Sequence, residues 1–294
     1  MPETIKKETK KKESAWIDLI KIILTLGVVL GHASLPDWFH KGFRAYDIIG
    51  RCLMGILGVR VPMFFVISGF LFFRGVDRNP KPAWFGKKLK RRIRSLLIPY
   101  LIANCVAWCV YAAATKWTPG MISGYLGDDW KDLYFVFWKG PVNLSLWFIR
   151  ELIVVCLLSP LVWLLIRYTW GVATIAFGVF WLMGGYEPVF FFALGATAPI
   201  LQLHSKKLEK WQDEHKLNIA PSWRAWCFFV YLYHYLLLIS TKKFLVHVLE
   251  PKNSAILLAI WIGSTIFTLG ILTLVYFTMR KHTPKLYSVV LGGK

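Results

Sequence analysis

The sequence predicts an all-helical membrane protein, a polytopic bundle of about eight transmembrane spans with both termini in the cytoplasm. Hydrophobic residues make up 56% of the 294 residues, and fifteen residues are tryptophan. Several apolar runs are long enough to cross a hydrocarbon layer about 30 Å thick as helices. The net charge of +20 is spread over short segments that flank those runs. This distribution follows the positive-inside rule and argues against a nucleic-acid-binding surface.

The chain divides into a long apolar region and two polar ends. Residues 1–14 are predicted to be a disordered, basic cytoplasmic tail, 15–280 a transmembrane domain, and 281–294 a cytoplasmic C-terminal tail. A longer outer loop is expected at 115–144 and a mixed-charge inner loop at 204–221. The eight predicted spans, in chain order, are 16–35, 48–73, 96–114, 145–166, 170–183, 188–203, 223–246 and 255–278.

The first apolar stretch carries ionisable residues that a plain membrane anchor would avoid. At about 100° per residue, Asp18, Lys21, Thr25 and His32 fall within one stripe of a helix. Such a stripe is costly in a membrane unless it faces protein or a wet cavity. It predicts one wall of a site that runs through much of the membrane, with His32 at its far end. The alternative is that Asp18 and Lys21 only extend to the headgroups.

Ionisable side chains from three predicted spans fall at one membrane level. At about 1.5 Å per residue, Arg60 lies roughly 20 Å from the inner boundary of the membrane, and His32 lies roughly 22 Å from it. Glu151 lies roughly 24 Å from the same boundary, and Arg150 precedes Glu151 in the sequence. A histidine can take a proton from a hydroxyl, a carboxylate can orient the histidine, and a guanidinium can stabilise an oxyanion. The alternative is a pair of Arg60 with Glu151 or Asp47 that only fixes helix packing.

A second histidine lies inside the seventh predicted span. His234, in the segment YLYHYL, is placed about 16 Å into the membrane and has tyrosine neighbours that include Tyr231. We list both residues as candidate supports of the acceptor side. A buried histidine of this kind also occurs as a hydrogen-bonded packing residue.

The five cysteines give no sign of a metal site. All of them sit in or beside apolar segments, and none forms a CxxC pair. We therefore predict neither a bound metal nor a disulfide framework.

A strongly basic segment, KKLKRRIR at 87–94, precedes the third span and has six basic residues in eight. Lys87, Arg91 and Arg94 share one helical face. Positive-inside placement explains this charge without any ligand. A phosphorylated donor would also bind here, and the separation of Lys21 from His32 would suit an extended pantetheine arm.

These residues, in this order, resemble the acyltransferase-3 family of integral-membrane O-acyltransferases. The matching stretches are 17–33, 61–73, 87–100 and 145–160, together with the segments 191–196, 228–234 and 283–294. The resemblance implies that 15–280 is an acyltransferase domain in the inner (plasma) membrane. It implies transfer of an acyl group, usually acetyl from acetyl-CoA, to a hydroxyl of a cell-envelope glycan or glycolipid, with no tightly bound cofactor.

The resemblance also implies roles for individual residues. His32 matches the family's essential histidine at the end of the first helix, and Arg91 and Arg94 match its basic donor-side motif. Arg60, Ser68 and Glu151 fall within matching blocks. We expect Glu151 and Arg60 to assist His32, and Ser68 to join Lys21 on the donor side. We expect Asp18 and Arg150 to support the site.

Two departures from the family pattern bear on activity. The family usually has an arginine where Lys21 stands, and lysine lacks the planar fork that binds phosphate in a bidentate manner. Family members also generally have two more spans, at the place where the loop 204–221 runs here. Three alternatives therefore stay open at this point: another donor such as succinyl-CoA, a non-catalytic scaffold, and a saccharide or anion transporter.

Overall fold

The fold is described from a computed structural model that covers residues 3–35, 42–115, 135–203, 219–220 and 222–292, with side chains described from residue 15 onward and not for 114–115 or 135–136. All regular elements in these ranges are helical. The predicted loops at 115–144 and 204–221 lie largely outside the described residues. The α-helices are α1 (Glu3–Ala33), α2 (Arg44–Leu57), α3 (Arg60–Phe73), α4 (Pro82–Thr115), α5 (Trp147–Leu157), α6 (Ser159–Tyr168), α7 (Val172–Leu182), α8 (Glu187–Leu201), α9 (Ser222–Leu249), α10 (Ser254–His282) and α11 (Pro284–Val290).

Within the described residues, four stretches are long and apolar enough to cross a membrane. They are Ala15–Ala33, Arg44–Phe73, Pro82–Ala113 and Ser254–His282. A fifth span results if the bent pair of α5 and α6 counts as one. Each of the eight predicted spans coincides with helix, but α7 and α8 are short, and tyrosines, a histidine and lysines dilute the apolar character of α9. The eight-span topology and the cytoplasmic termini stay predictions.

The predicted fourth span, 145–166, is not one straight helix. The chain enters through a short 3-10 turn, Leu144–Leu146, and then bends by 56° between α5 and α6. Pro160 lies in the first turn of α6. Proline has no N–H to donate, and its ring clashes with the carbonyl four residues back, which favours a kink or a break at this point.

The predicted tails are helical where the backbone is described. Helix α1 begins at Glu3, and α11 occupies half of the predicted C-terminal tail. The disorder predicted for 1–14 and the cytoplasmic placement of both tails stay predictions.

The described chain forms two compact units. The first comprises Met1–Leu24, Val59–Arg91 and Val154–Cys227, and the second comprises Thr25–Gly58, Arg92–Ile153 and Phe228–Lys294.

The first unit is built around the close crossing of α3 and α8. A Cβ atom added at Gly69 would lie 2.0 Å from the carbonyl oxygen of Phe192, and one at Gly195 would lie 1.9 Å from that of Val66. Only glycine allows two helix backbones to approach this closely. The rings of four aromatic residues then pack around the crossing at centroid separations of 5.0 to 6.3 Å: Phe72, Phe73, Phe192 and Trp84.

The second unit contains α2, α10 and α11, together with α9 from Phe228 onward and the C-terminal end of α1. Tyr46 of α2 packs its ring against Trp261 of α10, with centroids 5.4 Å apart, and both side chains are buried. Tyr276 of α10 packs against Phe229 of α9 and Tyr287 of α11. These aromatic contacts tie the second unit together.

Candidate active site at the end of the first helix

The C-terminal end of α1 is held by a lysine from α9. The ammonium of Lys242 donates to the carbonyl oxygen of His32 at 2.8 Å and to that of Ser34 at 2.9 Å. The last carbonyls of a helix have no partner within the helix and carry a partial negative charge. A cation at this position therefore satisfies two unpaired acceptors and complements the helix dipole.

Two further side chains fix the same helix end. Trp261 Nε1 of α10 donates to the carbonyl oxygen of Leu30 at 2.7 Å, and the Leu35 amide donates to the Tyr46 hydroxyl of α2 at 2.9 Å. Side chains of three helices thus bind backbone atoms on either side of His32. This arrangement fixes the position of the Cα atom of His32 without engaging its imidazole.

The imidazole of His32 lies in an aromatic cluster with residues of α9. Its centroid is 5.4 Å from that of the His234 ring and 5.5 Å from that of the Tyr235 ring, which meets it edge-on. The structure therefore brings together the two histidines that the sequence placed in separate spans, and His32 is half-buried where His234 is fully buried.

The hydrogen bonds of His234 assign its tautomer. Its Nδ1 lies 3.1 Å from the carbonyl oxygen of Val230 and 3.0 Å from that of Tyr231. A carbonyl only accepts, so the proton is on Nδ1 and Nε2 carries a lone pair. Tyr231 is itself buried and donates its hydroxyl to the carbonyl oxygen of Ser145. Tyr231 therefore holds the segment before α5 rather than presenting its hydroxyl to the cluster.

Arg150 and Glu151 bind one another, although they are adjacent in sequence. Arg150 Nε lies 2.8 Å and its Nη2 2.5 Å from the same Glu151 oxygen, and Arg150 Nη1 donates to the carbonyl oxygens of Trp138 and Lys139 at 2.9 and 2.7 Å. The pair connects α5 to the π-helical turn Phe135–Lys139. The direct support of His32 that we predicted for Glu151 stays a prediction.

A buried amide network lies beside this pair, and sequence reasoning missed it. Asn143 donates from Nδ2 to the carbonyl oxygen of Leu232 at 2.8 Å and accepts from Ser145 Oγ at 2.8 Å. Its backbone amide meets Asn104 Oδ1 at 3.4 Å. All three polar side chains are buried. The sequence signal was one asparagine inside the predicted third span and one just before the predicted fourth span.

In the first unit, Asp18 is a buried acceptor for two cations. Its side chain is 3% exposed, its Oδ1 lies 3.7 Å from Lys21 Nζ, and its Oδ2 accepts from Arg224 Nε. The sequence predicted the proximity of Asp18 and Lys21 but not Arg224, which lies 206 positions away in α9. Lys21 therefore stands in a cluster with a net charge of +1, counted as two cations and one carboxylate.

The remaining predicted site residues, the catalytic candidate Arg60 and the donor-side candidates Ser68, Arg91 and Arg94, lie on α3 and α4. Arg60 and Ser68 are half-buried on α3, and Arg91 and Arg94 are exposed on α4. Lys88 of the same basic segment is used structurally, because it donates to the carbonyl oxygen of Phe72 at 2.9 Å and covers the ring of Trp84 at 5.0 Å. Part of the basic segment is therefore engaged in packing. The predicted common level of Arg60, Glu151 and His32 stays a prediction.

The residues that the structure describes contain no group of three or more histidine, cysteine or acidic residues suited to a metal ion. Within that part of the chain, no third histidine, cysteine or acidic residue joins His32 and His234 in such a group.

Comparisons with known proteins bear on these residues. The acyltransferase-3 family model, described as an acyltransferase domain, matches residues 14–208. Succinoglycan biosynthesis protein ExoH of Rhizobium meliloti (strain 1021) is 32% identical over 216 residues, which are 67% of this chain and 57% of the relative. The chain therefore matches little more than half of that relative's length. No solved structure matches.

Among the predicted site residues, the match includes those from Asp18 to Glu151. Tyr231 and His234 lie beyond its end at residue 208. Their assignment to the site therefore depends on the geometry described above.

Proposed function

Because the chain belongs to the acyltransferase-3 family, we propose that it transfers an acetyl group from acetyl-CoA to a hydroxyl of a cell-envelope saccharide. The carrying observation is the position of His32, whose backbone is held on both sides while the residue is half-buried rather than fully buried. A base must be positioned before it can act on a hydroxyl. The relative's name, which refers to the synthesis of succinoglycan, supports a saccharide or glycolipid acceptor.

In this proposal His32 acts as the general base. The acceptor O–H bond breaks, its proton passes to a ring nitrogen of His32, and the oxygen attacks the thioester carbonyl carbon. The carbon–sulfur bond then breaks, the acetyl ester remains on the acceptor, and the thiolate takes a proton to leave as free CoA. A transient acetyl-histidine would use the same residue in two steps. With donor and no acceptor, a rapid burst of free CoA equal to the amount of enzyme would indicate the two-step route, and its absence would indicate direct transfer.

The donor is proposed to enter from the cytoplasmic side as a co-substrate, with no tightly bound cofactor. Arg91 and Arg94 are exposed and can bind its phosphates, with Lys21 and Ser68 completing the donor side. Lys21 lies beside Asp18, which offsets part of its charge. Its ammonium is also a point charge and lacks the bidentate fork of an arginine. We therefore expect Arg91 and Arg94 to contribute more to donor affinity than Lys21.

Arg60 and Glu151 are proposed to stabilise the charges that develop during acyl transfer. The Arg60 guanidinium would stabilise the oxyanion of the tetrahedral intermediate. Because Glu151 accepts from Arg150, its proposed support of His32 is indirect and acts through the segment that this ion pair fixes. The chain is proposed to act in the inner (plasma) membrane with a lipid bilayer as its environment.

The test is acyl-CoA turnover by the purified full chain in lipid nanodiscs. Acetyl-CoA and succinyl-CoA are supplied with a panel of glycan acceptors, and free CoA and acylated acceptor are measured by mass spectrometry. His32→Ala is compared with His247→Ala, which removes an exposed histidine of α9. We expect His32→Ala to lose at least 10²-fold in turnover with donor binding intact, while His247→Ala retains the parent rate.

Other outcomes decide against parts of the proposal. Turnover with succinyl-CoA alone would replace the donor. Donor binding without turnover by any acceptor in the panel would favour a scaffold. Absence of acyl-CoA binding by the parent would overturn the proposed function.

A further inference from the structure

One buried nitrogen in the aromatic cluster has no assigned role in the chemistry above. His234 is fully buried, and its Nδ1–H is satisfied by the Val230 and Tyr231 carbonyls, so Nε2 faces outward from those bonds as an acceptor. Among the described residues Nε2 has no hydrogen-bond partner. A buried acceptor without a donor costs about 1–3 kcal/mol. The hydrogen bonds of Nδ1 would be sufficient if His234 only packed against its neighbours. A packing role therefore does not explain why Nε2 is buried without a hydrogen-bond donor.

The His32 imidazole is at the right separation to supply the donor. Two imidazoles joined by a direct N–H···N bond of about 2.9 Å have ring centroids roughly 5 Å apart. The centroids of His32 and His234 are 5.4 Å apart, and the planes are inclined by 39°. A small rotation of the half-buried His32 ring closes this gap, whereas the two carbonyl bonds hold His234 in place.

We propose that His234 is a positioning residue whose Nε2 accepts a hydrogen bond from the ring N–H of His32. The bond places the single proton of neutral His32 on the nitrogen nearest His234. The opposite nitrogen is then the unprotonated one, which is the state in which it takes the acceptor hydroxyl's proton. This inference rests on the proposed function for its catalytic meaning, but the hydrogen bond itself is independent of it.

The Tyr235 ring completes the geometry. It meets the His32 ring edge-on at 5.5 Å and limits the rotation of His32 on one side. Lys242 anchors the His32 backbone at the same time. A bond from the His32 ring to His234 would add a directional contact to the ring itself.

The kinetic test compares two substitutions of His234 in the full chain. His234→Phe keeps a planar ring but removes the acceptor, and His234→Gln places a neutral acceptor oxygen near the position of Nε2. We expect His234→Phe to lower kcat about 10²-fold with the donor KM unchanged, and His234→Gln to recover at least tenfold of that loss. A His234→Phe variant that is folded and retains the parent kcat would overturn the inference. So would equal losses in both variants.

A spectroscopic test covers the case in which His234→Phe does not fold. The protein is labelled with ¹⁵N-histidine in nanodiscs, and the His32 signals are identified by their loss in His32→Gln. A fixed tautomer of His32 in the parent and in His234→Gln supports the bond. Exchange of His32 between both tautomers in the parent contradicts it.

The two tests separate this inference from the proposed function. Failure of the parent to turn over any donor refutes the function, while the tautomer measurement still decides on the hydrogen bond. An active parent, an inactive His32→Ala and a fully active His234→Phe would retain the function and refute the inference.

Discussion

The anchor of the first helix can be tested by removing one ammonium. Lys242→Met keeps the length of the side-chain stem and deletes the donor to the His32 and Ser34 carbonyls, which it contacts at 2.8 and 2.9 Å. A hydrogen bond from a charged donor contributes about 1.5–3 kcal/mol. Both carbonyls belong to half-buried residues, so water recovers part of this. We therefore expect Lys242→Met to remove about 2–4 kcal/mol of the free energy that holds the end of α1 in position.

The lost free energy should lower the rate of acyl transfer, because His32 lies at the helix end that would be displaced. A change of about 2.7 kcal/mol corresponds to roughly a hundredfold in rate when it lowers the population of the competent arrangement. We expect Lys242→Met to lower kcat by about that factor in the nanodisc assay. Thermal unfolding should show a smaller effect, since the loss is confined to one helix end.

Two matched variants make the test specific. Lys243→Met removes an exposed lysine from the next position of α9 and should leave the rate unchanged. Lys242→Arg retains a charged donor and should lose less than Lys242→Met. A Lys242→Met variant with the parent kcat would refute the view that this contact positions His32.

Two further predictions concern the first unit. Gly195→Ala should destabilise the protein by about 2–3 kcal/mol or more, because its Cβ would lie 1.9 Å from the Val66 carbonyl oxygen. The control Gly263→Ala, with no atom within 4 Å of its Cβ, should not destabilise it. Thermal unfolding in detergent measures both, and equal melting temperatures of the two variants would contradict the close crossing. Asp18→Asn and Arg224→Gln should couple by about 1–2 kcal/mol, less than a fully buried pair, since Arg224 is 48% exposed while Asp18 is 3% exposed. A double-mutant cycle on unfolding free energies checks this, and additivity of the two losses would show that the ion pair contributes nothing.

The sequence predicted the helical segments well because apolar length and basic flanks are local signals. All eight predicted spans coincide with helices, and the first helix ends one turn or less from where its apolar run stops. The bend at Pro160 was missed although its signal is local. Apolar length alone does not distinguish a straight span from two short helices, and proline was given too little weight there.

Partners of the site residues could not be predicted, because they depend on tertiary contacts. Lys242 reads in sequence as an interfacial lysine at the end of a span, yet it binds carbonyls more than 200 positions away. Arg224 reads as part of an inner basic flank, yet it binds the buried Asp18. Glu151 was assigned to His32 by membrane depth, a one-dimensional measure that cannot see that its neighbour Arg150 binds it.

The geometry of the helix end suggests why the histidine stands there rather than mid-helix. A residue in the last turn has free backbone carbonyls, so neighbouring helices can hold it by its main chain and leave its side chain for chemistry. Here Lys242, Trp261 and Tyr46 bind the main chain around His32, and the second histidine is available to orient the ring. Main-chain anchoring and ring orientation are thus supplied by different residues. Each can be removed separately, and loss of the anchor should move the whole residue while loss of His234 should change only which ring nitrogen is protonated.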